Sequence, residues 1–175
     1  MKQSESDVIH HPIPPTFDEH SRVLVLGSFP SVKSREAQYF YGHPQNRFWK
    51  VMAAVFSEKF PRTMEERKKL LLRNRVAVWD VIASCSVRGS SDTSIQNVTP
   101  NDLHLILGSS LITAIFTNGK KADELYKAFQ REKTGISSVC LPSTSPANAS
   151  WSLERLIEAW RIVAQVVHTD NSFRR

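Results

Sequence analysis

Two kinds of hydrophobic pattern alternate along this chain. Residues 22–29 contain Val23, Leu24, Val25 and Leu26 in an unbroken apolar run closed by Gly27 and Pro30, which predicts a strand buried on both faces. Residues 76–82, 112–117 and 137–142 repeat that pattern and predict three more strands. Between them, apolar residues recur at helical spacing. Phe48, Val51, Met52 and Val55 share one face of a helix over 47–56. Thr63 and Glu66 form a capping box that opens a charged helix reaching about residue 73. Thr99 followed by Pro100 predicts a helix through Leu107, with proline at its first position. Ala122, Leu125 and Phe129 are the expected buried face of a helix over 120–130, and Leu153, Leu156, Ile157, Trp160, Val163, Ala164 and Val167 mark a long closing helix. Residues 30–45 read as a loop.

Strands alternating with helices predict an α/β fold: a three-layer α/β/α sandwich around a central, mostly parallel four-stranded sheet. The polar, proline-rich residues 1–20 read as an extended lead-in, 21–168 as a single domain and 169–175 as a polar tail. Ligands of such folds bind beyond the carboxyl ends of the strands. The functional residues are therefore expected in the segments that follow the four strands: 27–31, 80–92, 117–121 and 142–150.

Composition narrows the function. No apolar run approaches the length of a membrane span, and residues 1–15 have no apolar signal region, so the cytoplasm is the expected compartment. The two cysteines, Cys85 and Cys140, sit in hydrophobic sequence and read as buried free thiols. They are too few for an iron–sulfur cluster, the six histidines show no ligand spacing, and no metal site is expected. A net charge of +6 favours a polyanionic partner. The basic residues are spread along the chain, which predicts a folded basic face rather than a disordered arm.

Three segments hold candidate chemistry. In GSFPS (27–31), a glycine at a strand end followed by proline makes a tight turn whose amides can bind an anion or a base edge, or simply turn the chain. It is not a phosphate-binding GxxxxGK[ST] loop, and GxGxxG is also absent, which argues against a dinucleotide cofactor. Tyr39, Phe40 and Tyr41 place three aromatics in a row ahead of HPQNRFW (43–49); one of them can stack on an extracted base or fold back on the core. Asn46 reads as a helix cap or as a functional amide. Residues 142–150, PSTSPANAS, form a stiff loop of short hydroxyl donors that can grip phosphates or wedge into a duplex; the plain alternative is a proline-rich connection capped by Ser150. Asp80, at the end of the second strand, reads equally as a charge stabiliser or a structural hydrogen-bond acceptor.

Together, GSFPS, HPQNRFWKV and the loop at 143–148 resemble the uracil-DNA glycosylase superfamily, and its mismatch-specific members above all, over residues 20–168. Most superfamily members carry Asn or Asp where Phe29 stands, to position the attacking water, and many carry His or Asn where Ser143 stands. With WDVIASC (79–85), Arg88, Gly89, Ser90, Asp92 and TSPANA (144–149), those departures instead resemble the branch of hypoxanthine-DNA glycosylases. The resemblance implies a cofactor-free, monofunctional and monomeric enzyme that extracts a deaminated base from DNA, hypoxanthine foremost. It assigns Asn46 as the catalytic residue, orienting water or bonding the base, with Asp80 beside it. Ser28, Phe29, Tyr41 and Asn118 would hold the base, Tyr41 by stacking. Ser31, Ser143, Ser145, Pro146, Ala147 and Asn148 would contact DNA, and His43 is a candidate donor to a purine leaving group. The competing readings are a uracil or thymine mismatch glycosylase and a non-catalytic DNA-binding module.

Overall fold

Four all-apolar stretches make the centre of the molecule because strands flanked on both faces must be hydrophobic on both. The computed structural model describes residues 8–86 and 95–169. In chain order its elements are β1 (Val8–His10), β2 (Val23–Gly27), α1 (Val32–Ala37), α2 (Phe48–Val55), α3 (Met64–Arg73), β3 (Val76–Asp80) and β4 (Ile82–Ser86). There follow β5 (Gln96–Pro100), α4 (His104–Leu107), β6 (Ala114–Asn118), α5 (Lys120–Phe129), α6 (Arg131–Thr134), β7 (Ser138–Leu141) and α7 (Leu153–Thr169). The main sheet has the order β3-β2-β6-β7 and every pairing in it is parallel. This is the predicted four-stranded sheet. Helix α7 packs on β2 and α2, α3 lies against β3, and α5 lies against β6 and β7. The chain steps outward from β2 to β3 but in the opposite direction from β6 to β7, so right-handed crossovers put their helices on opposite faces. Between β2 and β6 the connections diverge, which opens a crevice at their carboxyl ends.

The buried tryptophans lock this arrangement through their N–H groups as well as their rings. Trp49 donates to the Phe40 carbonyl, Trp79 to that of Ile13 and Trp160 to that of Pro142. The capping box at Thr63 and Glu66 forms as the spacing predicts.

Several expectations are corrected. Residues 96–100 are strand β5, not the start of a helix: Thr99 and Pro100 pair with Ser84 and Ile82 of β4, and the helix shrinks to α4. Proline is tolerated there because β5 is an edge strand. With β1, these strands form a second, antiparallel sheet in the order β1-β4-β5. Residues 30–45 contain α1, whose first turn is capped by Ser31 accepting from the Ser34 amide. Cys85 is buried but Cys140 is exposed, because β7 is the sheet's edge. In α5 the deeply buried aromatic is Tyr126, while Phe129 is half-buried. Ser152, rather than Ser150, accepts the first-turn amide of α7 from Arg155.

The stretch ahead of β2 is tied to the domain along its length. Val8–His10 pairs with β4, Ile13 is buried, and Thr16 exchanges two backbone hydrogen bonds with Val78 on the outer edge of β3.

Candidate active site

The carboxyl ends of β2, β3 and β6, with the loop after β7, bring Gly27, Asp80, Asn118 and residues 142–148 to one end of the sheet. Gly27 stands opposite Asp80, and a Cβ at position 27 would lie 2.3 Å from Asp80 Oδ1 and 3.2 Å from the Tyr41 hydroxyl. Only glycine lets the carboxylate and the phenol approach each other over the strand end. Asp80 is 4% exposed. Its Oδ2 accepts from His11 Nε2 at 2.7 Å. The His11 Nδ1 atom in turn accepts the Ile13 amide proton, which fixes the tautomer: Nε2 carries the hydrogen and donates to Asp80 Oδ2. The structural reading of Asp80 holds for Oδ2, while Oδ1 lies at the strand end beside Gly27 and the Tyr41 hydroxyl.

Of the three consecutive aromatics, only Tyr41 belongs to the site. Tyr39 and Phe40 are core residues. Tyr39 bonds Thr16, and burial pushes its hydroxyl up to about 12, against the opposing pull of that bond and of Arg67. Tyr41 takes a left-handed backbone conformation (φ 51°), strained for a residue with a large side chain. Its ring stacks on Phe48 at 4.0 Å between centroids, which covers one face. The Tyr41 hydroxyl is buried, and among the described residues no partner meets hydrogen-bond geometry. Burial first, and then the Asp80 charge, push its ionisation far above the ordinary tyrosine value; the nearby Asn118 amide only partly offsets them. Tyr41 therefore stays a neutral phenol whose proton is unspent.

Asn46 stands one residue ahead of the Arg47 N-cap of α2. Its Oδ1 accepts the amide of Phe48, the first residue of α2, and also accepts from Thr144 Oγ1 at 2.9 Å. Thr144 is fully buried. It is clamped by Asn118, whose Oδ1 accepts the Thr144 amide and whose Nδ2 donates to Thr144 Oγ1, both at 3.0 Å. Tyr41, Asn46, Asp80 and Asn118 thus form one cluster.

Phe29 is half-buried at its margin, edge-on to His11 and under the Arg35 guanidinium. Ser28 continues the strand pairing through its carbonyl, which accepts the Ile82 amide. Gly119, at a positive φ of 95°, lets Ser143 pack within 3.0 Å of where its Cβ would stand.

The loop after β7 is rigid by internal bonding. Ser143 Oγ accepts the Ser145 amide, Ser145 Oγ accepts the Ala147 amide, and Asn148 Nδ2 donates to the Ser143 carbonyl. Pro146 and Ala147 are exposed at its tip. Asn148 consequently works inside the loop, and Ser31 works as the cap of α1. His43 Nδ1 accepts the Gln45 amide within its own turn. Arg88, Gly89, Ser90 and Asp92 lie outside the described residues, as do 1–7 and 170–175.

Three site residues had no reading in the sequence: His11, Thr144 and Arg47. Arg47 donates to the carbonyls of Ser145 and Asn148 at 3.0 and 3.1 Å and to that of Trp151. Its amide donates to the Thr144 carbonyl. A basic residue beside the apolar face of α2 was the one available signal for it. Among the described residues no three His, Cys, Asp or Glu are grouped to hold a metal ion, and no helix is long and apolar enough to cross a membrane.

A family model described as the uracil DNA glycosylase superfamily matches residues 14–164. A Methanosarcina acetivorans protein named hypoxanthine DNA glycosylase is 35% identical over 158 residues, spanning 89% of this chain and 98% of its own length. A Methanosarcina barkeri protein of the same name is 33% identical over 138 residues, or 77% of this chain and 85% of its own. A solution structure from Methanosarcina acetivorans, described as a candidate uracil DNA glycosylase, superposes with a TM-score of 0.78 at 31% identity and covers 93% of this chain and 99% of that one.

Proposed function

The chain belongs to the uracil DNA glycosylase superfamily, and on that premise we propose that it hydrolyses the N-glycosidic bond of deaminated bases in DNA, hypoxanthine first. One observation carries the reading: Asp80 Oδ1 and the buried Tyr41 hydroxyl meet over the end of β2, beside the Asn46 and Asn118 amides that Thr144 joins. Deamination converts the ring imine and exocyclic amine of adenine into a lactam, an N–H beside a C=O. A carboxylate accepts the lactam N–H and repels the imine lone pair of the parent base, while amide and phenol donors suit the carbonyl. The same-named relatives point to hypoxanthine among the deaminated bases.

In the reaction, water oxygen bonds to C1′ as the glycosidic electron pair departs with the base, which then gains a proton. Negative charge builds on the base and positive charge on the sugar. Donors fixed toward the base lower that barrier most, because they need no reorganisation. Asn46 is the residue proposed to carry this role, Tyr41 would stack on the base with the ring face away from Phe48, and Asp80 would face the developing cation. The rigid tip at Pro146 and Ala147 would enter the duplex beside the extruded nucleotide, which costs a few kcal/mol to unstack. A single open face of this kind suits a monomer. Uracil and thymine carry the same lactam, so a mismatch glycosylase is the second reading.

The test uses end-labelled duplexes carrying one inosine, one uracil or one G·T mismatch, incubated with the protein and EDTA and then cleaved at abasic sites with alkali. Cleavage should be strongest at inosine and fall by about 10²-fold or more in Asn46→Ala with an unchanged melting curve. Cleavage mainly at uracil or thymine would install the second reading. Salt-sensitive DNA binding without any cleavage would mean a binding module.

A further inference from the structure

The hydrogen bonds that join Asn118, Thr144 and Asn46 can run in only one direction. At one end the Thr144 backbone N–H, which can only donate, meets Asn118 Oδ1 at 3.0 Å. The other arm of the Asn118 amide is therefore Nδ2, which donates to Thr144 Oγ1 at 3.0 Å. Having accepted there, the hydroxyl turns its single proton to Asn46, 2.9 Å away. At the far end the Phe48 backbone N–H points to the same Asn46 atom at 3.0 Å. Two donors converge on it, so that atom is Oδ1, with both lone pairs occupied. That leaves Nδ2, with its two protons, as the arm of the half-buried Asn46 available to a base. The side chain has no acceptor left with which to orient a water molecule.

We infer that Thr144 is a positioning residue that turns Asn46 and Asn118 so that both present N–H groups to the departing base, which makes Asn46 a donor to the base and not a holder of water. This deepens the glycosylase reading and rests on it. Burial keeps the relay free of competing water. The Thr144 carbonyl, which accepts the Arg47 amide, keeps its backbone in place whatever its side chain. Thr144→Val accordingly removes the hydroxyl while keeping the shape, the main-chain bonds and the clamp on Asn118 Oδ1; Thr144→Ser keeps the hydroxyl.

The experiment measures single-turnover excision from the inosine duplex at saturating and half-saturating protein, with side-chain amide NMR spectra of the same proteins. Thr144→Val should slow the saturated step about tenfold or more with half-saturation unchanged, and Thr144→Ser should stay within about threefold of the parent. In an Asn46→Ala background, Thr144→Val should cost less than about twofold, since both changes remove the same function. Asn46→Asp, which swaps the two protons for an acceptor, should be as slow as Asn46→Ala. An active Asn46→Asp protein, or a Thr144→Val loss of equal size in both backgrounds, would overturn the inference. The NMR arm is independent of activity: the NH₂ signals of Asn46 and Asn118 should shift in Thr144→Val and return in Thr144→Ser, and unmoved signals would refute the relay. A parent protein that excises none of the three bases would refute the glycosylase reading, leaving the NMR arm to decide the orientation of the amides.

Discussion

Gly27 shows how one missing side chain shapes the site. Asp80 Oδ1 occupies the space a Cβ would need, and Asp80 cannot swing away without breaking its 2.7 Å bond to His11. Gly27→Ala should therefore disturb the carboxylate and the Tyr41 hydroxyl together. Excision should drop by about 10²-fold or more, the scale of losing a preorganised polar group, while the far end of the sheet stays folded. A near-parental rate with the His11 ring NMR signals unmoved would show that the crevice tolerates the methyl group and that Asp80 Oδ1 does not act on the substrate. Asp80 and Asn118 stand out as candidates in the sequence because each pairs a polar side chain with the end of a strand, whereas Tyr41 and Asn46 stand out through the aromatic run and the HPQNRFWKV segment. His11 and Thr144 do not. A histidine in a polar lead-in gains meaning only from a partner 69 residues away. A threonine in a small-residue loop becomes informative only once Asn46 is known to lie within 2.9 Å.

At the scale of elements, Arg47 is the joint between the start of α2 and the loop after β7. Its guanidinium gathers the carbonyls of Ser145, Asn148 and Trp151, which gives a proline-rich loop a fixed shape at its base. Lysine cannot reproduce this planar fork. Arg47→Lys should destabilise the fold by about 2 kcal/mol, in the range for hydrogen bonds to a charged group. Hydrogen exchange should quicken at 145–151 and not in α5. Uniform acceleration throughout the chain would mean that Arg47 supports the core rather than the loop. The four parallel strands were legible because a short unbroken apolar run bounded by turn residues fits a strand covered on both faces. The antiparallel sheet was hidden: β1 has three residues, Ser84 and Ser86 interrupt β4, and β5 is mostly exposed, so none shows an apolar run. Helix α1 buries only Ser34 and has no hydrophobic stripe to read.

For the whole molecule, the net charge of +6 matters through where the cations sit. Lys33 and Arg35 in α1 and Lys120 and Lys121 at the start of α5 follow directly on strands whose carboxyl ends form the crevice. Arg155, in the first turn of α7, lies over the Trp151 ring beside the rigid loop. Helix α3 runs the other way: its last turn leads into the start of β3, so Lys69 and Arg73 lie toward the opposite end of the sheet. Phosphate contacts release counterions, and the logarithm of affinity falls with the logarithm of salt by about 0.9 per phosphate neutralised. Replacing Lys120 and Lys121 together by alanine should thus flatten the salt dependence of binding to undamaged duplex by about 1 to 2, while Lys69→Ala leaves it unchanged. The ratio of inosine to uracil excision should hold in both variants, because these cations meet the backbone and not the base. Equal flattening by Lys69→Ala would mean that DNA lies across the α3 face, away from the crevice, and a changed base ratio in the double variant would bring Lys120 or Lys121 into base selection itself.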